Sequence, residues 1–175
     1  MDEARRDRLI AWLRQAASEP KLEIERMALL SGGAIQQNWA IDLSDGRAWV
    51  LRTDNAATLA VSHGRAQEFA LLRAAFAAGV TVPEPLFLCE DAAVTGAPFF
   101  VMRRVAGTAA AHRVVKSETL GGSRDACVHA LGRELARIHT VTPPRADLAF
   151  LGEAPADPCR AFIAEQRVAR DRQRL

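Results

Sequence analysis

The sequence predicts an α+β protein in two lobes. Short apolar runs separated by turn signals fill residues 22–106, with one long helical pattern among them. After residue 107 only helical patterns remain. Composition permits such a fold: 49% of the 175 residues are apolar and 25% charged, too apolar for a disordered chain. No apolar run reaches the roughly 20 residues needed to cross a bilayer. A net charge of +2 gives no field that argues for DNA, RNA or a membrane surface.

Each element follows from its pattern. Residues 2–18 read as a helix, with Leu9, Leu13 and Ala16 at spacings of four and three, and Pro20 as its stop. Residues 22–30, 37–43 and 48–53 read as strands of an antiparallel meander. Ser31-Gly32-Gly33 breaks the first pair, and Asp45-Gly46 marks a tight turn in the second. Residues 54–62 form a polar loop. Residues 64–78 are helical, with Phe69, Leu72 and Phe76 on one face and Gly79 as the stop. Leu86–Cys89 and Phe99–Val105 are strands, joined by a turn region from Glu90 to Pro98. Ala106-Gly107-Thr108-Ala109 is a small-residue break. Residues 124–140 repeat Val128, Leu131, Leu135 and Ile138 at helical spacing. A Pro-containing loop spans 142–158, and residues 159–173 resume a helical pattern.

Cysteine usage is sparse. Cys89, Cys127 and Cys159 are an odd number, widely spaced, with no metal-ligand pattern. They read as small core residues in a reducing compartment, and the charged N-terminus has no signal-peptide core behind it, so the expectation is a cytoplasmic protein. Of 23 basic residues only Lys21 and Lys116 are lysine. Chemistry that normally uses lysine must therefore use one of these or an arginine.

Three motifs carry possible chemistry. Glycines in Leu30-Ser31-Gly32-Gly33-Ala34 can be a plain hairpin, or backbone N–H groups that cover phosphates. The spacing is not that of a Walker loop, and the following strand excludes the strand–turn–helix of a dinucleotide fold. Arg52 alternates out of the apolar strand Val50-Leu51-Arg52, and Glu68 lies on the next helix. Each alone can be a surface charge. Together, under a glycine hairpin, they match how kinase-like folds hold a nucleotide triphosphate. Phe99-Phe100-Val101-Met102-Arg103-Arg104-Val105 is either a core strand or one that presents edge backbone groups to a flat base.

At these residues the sequence resembles the aminoglycoside phosphotransferase family, small-molecule kinases related to choline kinase. Gln67-Glu68-Phe69-Ala70-Leu71-Leu72-Arg73, Gly79-Val80-Thr81-Val82-Pro83, Leu88-Cys89-Glu90-Asp91 and Leu131-Gly132-Arg133-Glu134-Leu135-Ala136-Arg137-Ile138-His139 carry it further. The resemblance implies a protein-kinase-like fold: a helix at 1–20, a nucleotide-binding lobe at 21–106, and a hinge with an incomplete helical lobe at 107–175. It implies ATP as cofactor, with Ser31, Gly32, Gly33 and Ala34 over the phosphates and Arg52 as their cation. Glu68 would orient Arg52. Met102 would back the adenine, and the backbone of Arg103 and Val105 would hydrogen-bond its edge. Arg52 stands where the family often has lysine, and Ile35-Gln36 where it often has Ser-Asn.

The family's catalytic loop, His-x-Asp-x-x-x-x-Asn, supplies an acid and a metal-binding Asn, and a later Asp holds Mg²⁺. None of His63, His112, His129 and His139 has an Asp two residues on. The expectation is a fragment with no catalytic or metal-binding residue of its own, the Mg²⁺ ligands and the site for a small-molecule hydroxyl acceptor lying in a missing part. The alternative is a non-catalytic, pseudokinase-like module that binds nucleotide or a partner. No nucleic-acid or membrane partner is expected. Neither the acceptor, the oligomeric state nor antibiotic resistance follows from the family resemblance.

Overall fold

The computed structural model describes residues 2–30, 36–54, 64–108, 110–117, 122–152 and 156–172. The chain divides into two compact units, Met1–Pro143 and Pro144–Leu175.

In the first unit, α1 (Glu3–Ala16) starts at Asp2, whose carboxylate accepts the Arg5 N–H at 2.9 Å. Leu9 and Leu13 are completely buried. The helix does not run to Pro20. Ser18 takes a left-handed φ of 55°, its N–H bonds the Gln15 carbonyl, and the Glu19 N–H closes on Arg14. This paired closure ends the helix before proline acts.

Five strands form one sheet: β1 (Ile24–Leu29), β2 (Gln36–Leu43), β3 (Ala48–Asp54), β4 (Pro85–Cys89) and β5 (Phe99–Arg103), in the order β1-β2-β3-β5-β4. Every neighbouring pair is antiparallel. The Asp-Gly turn forms as expected between β2 and β3, with Gly46 at φ 85°. β5 stops at Arg103 instead of reaching Val105. Arg104 donates to Ala48, the first residue of β3, and no strand remains beyond it to pair with. Between β3 and β4 lies α2 (Arg65–Ala77), followed by Gly79 at φ 75°. The region 90–98 is more ordered than a plain turn. It holds α3 (Ala92–Thr95), capped by Asp91 and closed by Gly96 at φ 99°.

The register sorts side chains onto two faces. Ile41, Trp49, Leu51, Phe87, Phe99 and Val101 point toward α1 and form the main core with Leu9 and Leu13. Trp12 meets Phe99 and Phe87 edge-on, at ring separations of 5.0 and 6.5 Å, and Trp49 meets Phe87 at 5.6 Å. The opposite face carries Asn38, Ala40, Val50, Arg52, Phe100 and Met102. There Phe69 of α2 packs on Phe100, with ring centroids 5.7 Å apart.

After β5 come α4 (Ala111–Lys116), which the sequence reading did not anticipate, and α5 (Arg124–Ile138), capped by Ser123. α5 buries none of its residues; Val128, Leu131, Leu135 and Ile138 are all exposed. A polar tie connects it to the sheet half. Glu134 accepts the Thr81 N–H at 2.7 Å and the Thr81 hydroxyl at 2.9 Å.

The second unit contains a 3₁₀ helix (Ala146–Leu151), inside the segment expected to be loop, and α6 (Pro158–Arg172). Among the described residues, no helix is long and apolar enough to cross a membrane.

Candidate nucleotide site

The predicted strand cation and helix acid meet. Arg52 Nε lies 2.8 Å from Glu68 Oε1, and both side chains are about one quarter exposed. The contact is off the N–H axis, a charge contact more than a directed hydrogen bond. The Arg52 guanidinium also donates to the Gln36 side-chain oxygen. Gln36 stands beside Asp54, and Asn38 directly opposite Arg52, so all four residues share one sheet face.

The pair is part of a larger network that the sequence reading missed. Arg65, the first residue of α2, has a side chain only 1% exposed. Its Nε lies 3.1 Å from Asp54 Oδ1, and another of its nitrogens donates to Glu68 Oε2. Charges therefore alternate along Asp54, Arg65, Glu68 and Arg52. One signal was present in the sequence. Arg65 and Glu68 are three apart on a helix, a spacing that brings side chains together.

Next to Arg52 on the same face, Ala40, Val50 and Met102 lie side by side across β2, β3 and β5. Ala40 and Val50 are buried and Met102 is half-buried. This row is apolar and flat, as a base requires. On the side away from Arg52 the row is flanked by Arg104, which forms an ion pair with Asp42 at 2.6 Å. The Arg103 N–H is already donated to the Glu84 carbonyl at 2.8 Å. Its side chain pairs with the Glu84 carboxylate at 2.6 Å. Of the Arg103 backbone, then, the carbonyl is the group to offer a ligand. Val105 is exposed, and its backbone N–H makes no hydrogen bond among the described residues. Ser31, Gly32, Gly33 and Ala34 lie outside the described residues.

A cavity of about 480 Å³ is lined by Ser18, Glu19, Pro20, Lys21, Leu22, Ser44 and Asp45. It sits by the β2–β3 turn, at the other end of β3 from Arg52. Its acids Glu19 and Asp45 both pair with Arg47. It has no part in the candidate site.

The residues suit a nucleotide on two grounds. The apolar row matches a base, and Arg52 flanks it, two residues along β3 from Val50. Asn38 Oδ1 is buried there without a hydrogen-bond partner, so polar capacity remains beside the cation. They do not suit a metal: among the described residues, no group of three or more His, Cys, Asp or Glu is placed to hold one.

The family model described as the phosphotransferase enzyme family matches residues 26–175. The chain belongs to that phosphotransferase family. The chain is also similar to parts of larger proteins. Acyl-CoA dehydrogenase family member 10 of Mus musculus is 36% identical over 114 residues, 62% of this chain and 10% of that protein. Acyl-CoA dehydrogenase family member 11 of Gallus gallus is 31% identical over 123 residues, 68% of this chain and 15% of that protein. The phosphotransferase-family chain thus spans only a small part of these curated relatives. A solved Ralstonia eutropha structure assigned as an aminoglycoside phosphotransferase aligns with a TM-score of 0.45 at 23% identity. The alignment covers 59% of this chain and 28% of that one.

Proposed function

We propose that this chain is the ATP-binding part of a small-molecule kinase that moves the γ-phosphate of ATP to a substrate hydroxyl. The observation that carries this reading is the Arg52–Glu68 contact beside the Ala40, Val50 and Met102 row. Family membership supports it at the level of phosphotransferase.

Each residue has a physical task. Ala40, Val50 and Met102 receive the adenine by apolar contact. The Arg103 carbonyl, on the last residue of β5, and the Val105 N–H just past it supply an acceptor and a donor to the base edge. Ser31 to Ala34 offer backbone N–H groups over the phosphates. Arg52 supplies a permanent, forked cation to them. Glu68 holds that cation at Nε and Gln36 takes one further N–H, which leaves the other end of the fork for phosphate oxygens. Mg²⁺, when bound to the complete enzyme, would neutralise developing phosphate charge. Among the described residues, no group of three or more His, Cys, Asp or Glu is placed to hold it.

The chain alone is proposed to be inactive, because phosphoryl transfer also needs an acid near the acceptor hydroxyl. In this reading residues 1–20 carry the N-terminal helix, 21–106 make up the nucleotide lobe, and 107–175 the hinge and start of a helical lobe. A cytoplasmic location is part of the reading.

A second reading is a module that binds nucleotide or a partner without chemistry. The exposed apolar residues of α5 favour it. Calorimetric titration separates the outcomes. ATP should bind the chain, and Arg52→Met should weaken it by about tenfold or more, as loss of a charged hydrogen-bond partner requires. Equal affinity of Arg52→Met and wild type would sink the phosphate role. A phosphorylated acceptor produced by the chain alone would overturn its proposed inactivity.

A further inference from the structure

We propose that Arg65 is the positioning residue of the nucleotide site, dividing the Glu68 carboxylate so that only one oxygen is left for Arg52. This rests on the reading of Arg52 as the phosphate contact. The geometry supplies the division. Glu68 Oε1 faces Arg52 at 2.8 Å, and Glu68 Oε2 accepts from Arg65. Arg65 in turn reaches Asp54 at 3.1 Å, so the end of β3 and the start of α2 are tied through one guanidinium.

Helix physics alone would not choose this residue. A cation at the first position of α2 opposes the helix dipole. Burying a guanidinium is costly unless carboxylates offset it. Arg65 is almost fully buried, and both Asp54 and Glu68 supply that offset. A solvated arginine at this helix start would serve solubility; a buried one between two acids fixes the acids.

The consequence falls on Arg52. Without Arg65, both Glu68 oxygens are open to Arg52, and guanidinium and carboxylate favour the two-point fork. Arg52 would then be drawn onto α2 and lost to phosphate. With Arg65 in place, the Arg52–Glu68 contact stays single-point. Asp54 sits two residues after Arg52, and Glu68 three after Arg65, so the tie makes cation and acid move as one body.

The test uses the 175-residue chain with Arg65→Met, Arg65→Lys and Asp54→Asn. Two readouts are taken: the ¹⁵N–¹H resonance of the Arg52 Nε–H, and affinities for ATP and adenosine. Arg65→Met should move the Arg52 resonance and weaken ATP by about tenfold, with adenosine affinity within about twofold. Arg65→Lys, which keeps charge without the fork, should fall between. Asp54→Asn should move the resonance least. If Arg65→Met does not fold, Arg65→Lys and Asp54→Asn carry the same readouts. An unmoved Arg52 resonance in the folded Arg65 variants, or in Asp54→Asn if they do not fold, overturns the proposal. If the wild type binds no ATP, the phosphate reading falls, and the Arg52 resonance still decides whether Arg65 positions it.

Discussion

α1 and α5 carry apolar stripes of the same kind and meet opposite fates. Leu9 and Leu13 of α1 are sealed against one face of the sheet. Leu131 of α5, at the same helical spacing from its neighbours, is 70% exposed. Periodicity decides that a helix forms and which side is apolar. It does not decide what that side covers. α5 is held to the sheet half by a polar tie, Glu134 to Thr81, where α1 is held by packing.

The contrast can be broken most directly by truncation. Leu13→Ala should cost about 3 kcal/mol in denaturant unfolding, as removal of a sealed leucine does. Leu131→Ala should cost less than about 0.5 kcal/mol. Similar losses at the two sites would erase the distinction between them. The α1 end offers the next effect. Ser18 holds a left-handed backbone that glycine adopts freely, so Ser18→Gly should stabilise by up to about 1 kcal/mol. A loss of stability would mean that the serine side chain matters more than its backbone.

The tie at α5 should respond to pH. The Thr81 backbone N–H, then its hydroxyl, then Arg137 hold the Glu134 carboxyl below its ordinary range. A depressed acid contributes stability above its unfolded pKa and loses it as pH falls through the folded one. Protection of the α5 amides, measured against their intrinsic exchange rate at each pH, should therefore fall under acid, below the usual glutamate range, and Glu134→Gln should remove that pH dependence. Exchange in α5 that ignores both changes would mean the helix is held otherwise. The smallest expected effect is chemical. Burial pushes the Cys89 thiol up, while Cys159 is exposed. Alkylation at neutral pH should reach Cys159 long before Cys89; comparable rates would show that the sheet core opens readily.

Much of the fold was legible because its signals are local. The Asp45-Gly46 turn, alternation in β2 and β3, and the Gly79 stop each need only a few neighbouring residues. Arg52 and Glu68 were legible as a pair because strand and helix patterns both pointed at the same place. Asp54 and Arg65 were not, since their contact is made only when β3 and α2 are side by side in space. The end of α1 was misread because Ser18 is not a residue that usually adopts a left-handed turn. The end of β5 was misread because pairing with the start of β3, not its own apolar run, sets its length. α4 has too few apolar residues to show a period.

The aromatic cluster under α1 has a practical result. Trp12, Trp39 and Trp49 are all in the first 50 residues, and the chain has no tyrosine. Intrinsic fluorescence is therefore a selective reporter. Emission will follow melting of the sheet and its α1 seal, while events confined to α5 or α6 stay dark, so circular dichroism and fluorescence need not trace the same transition.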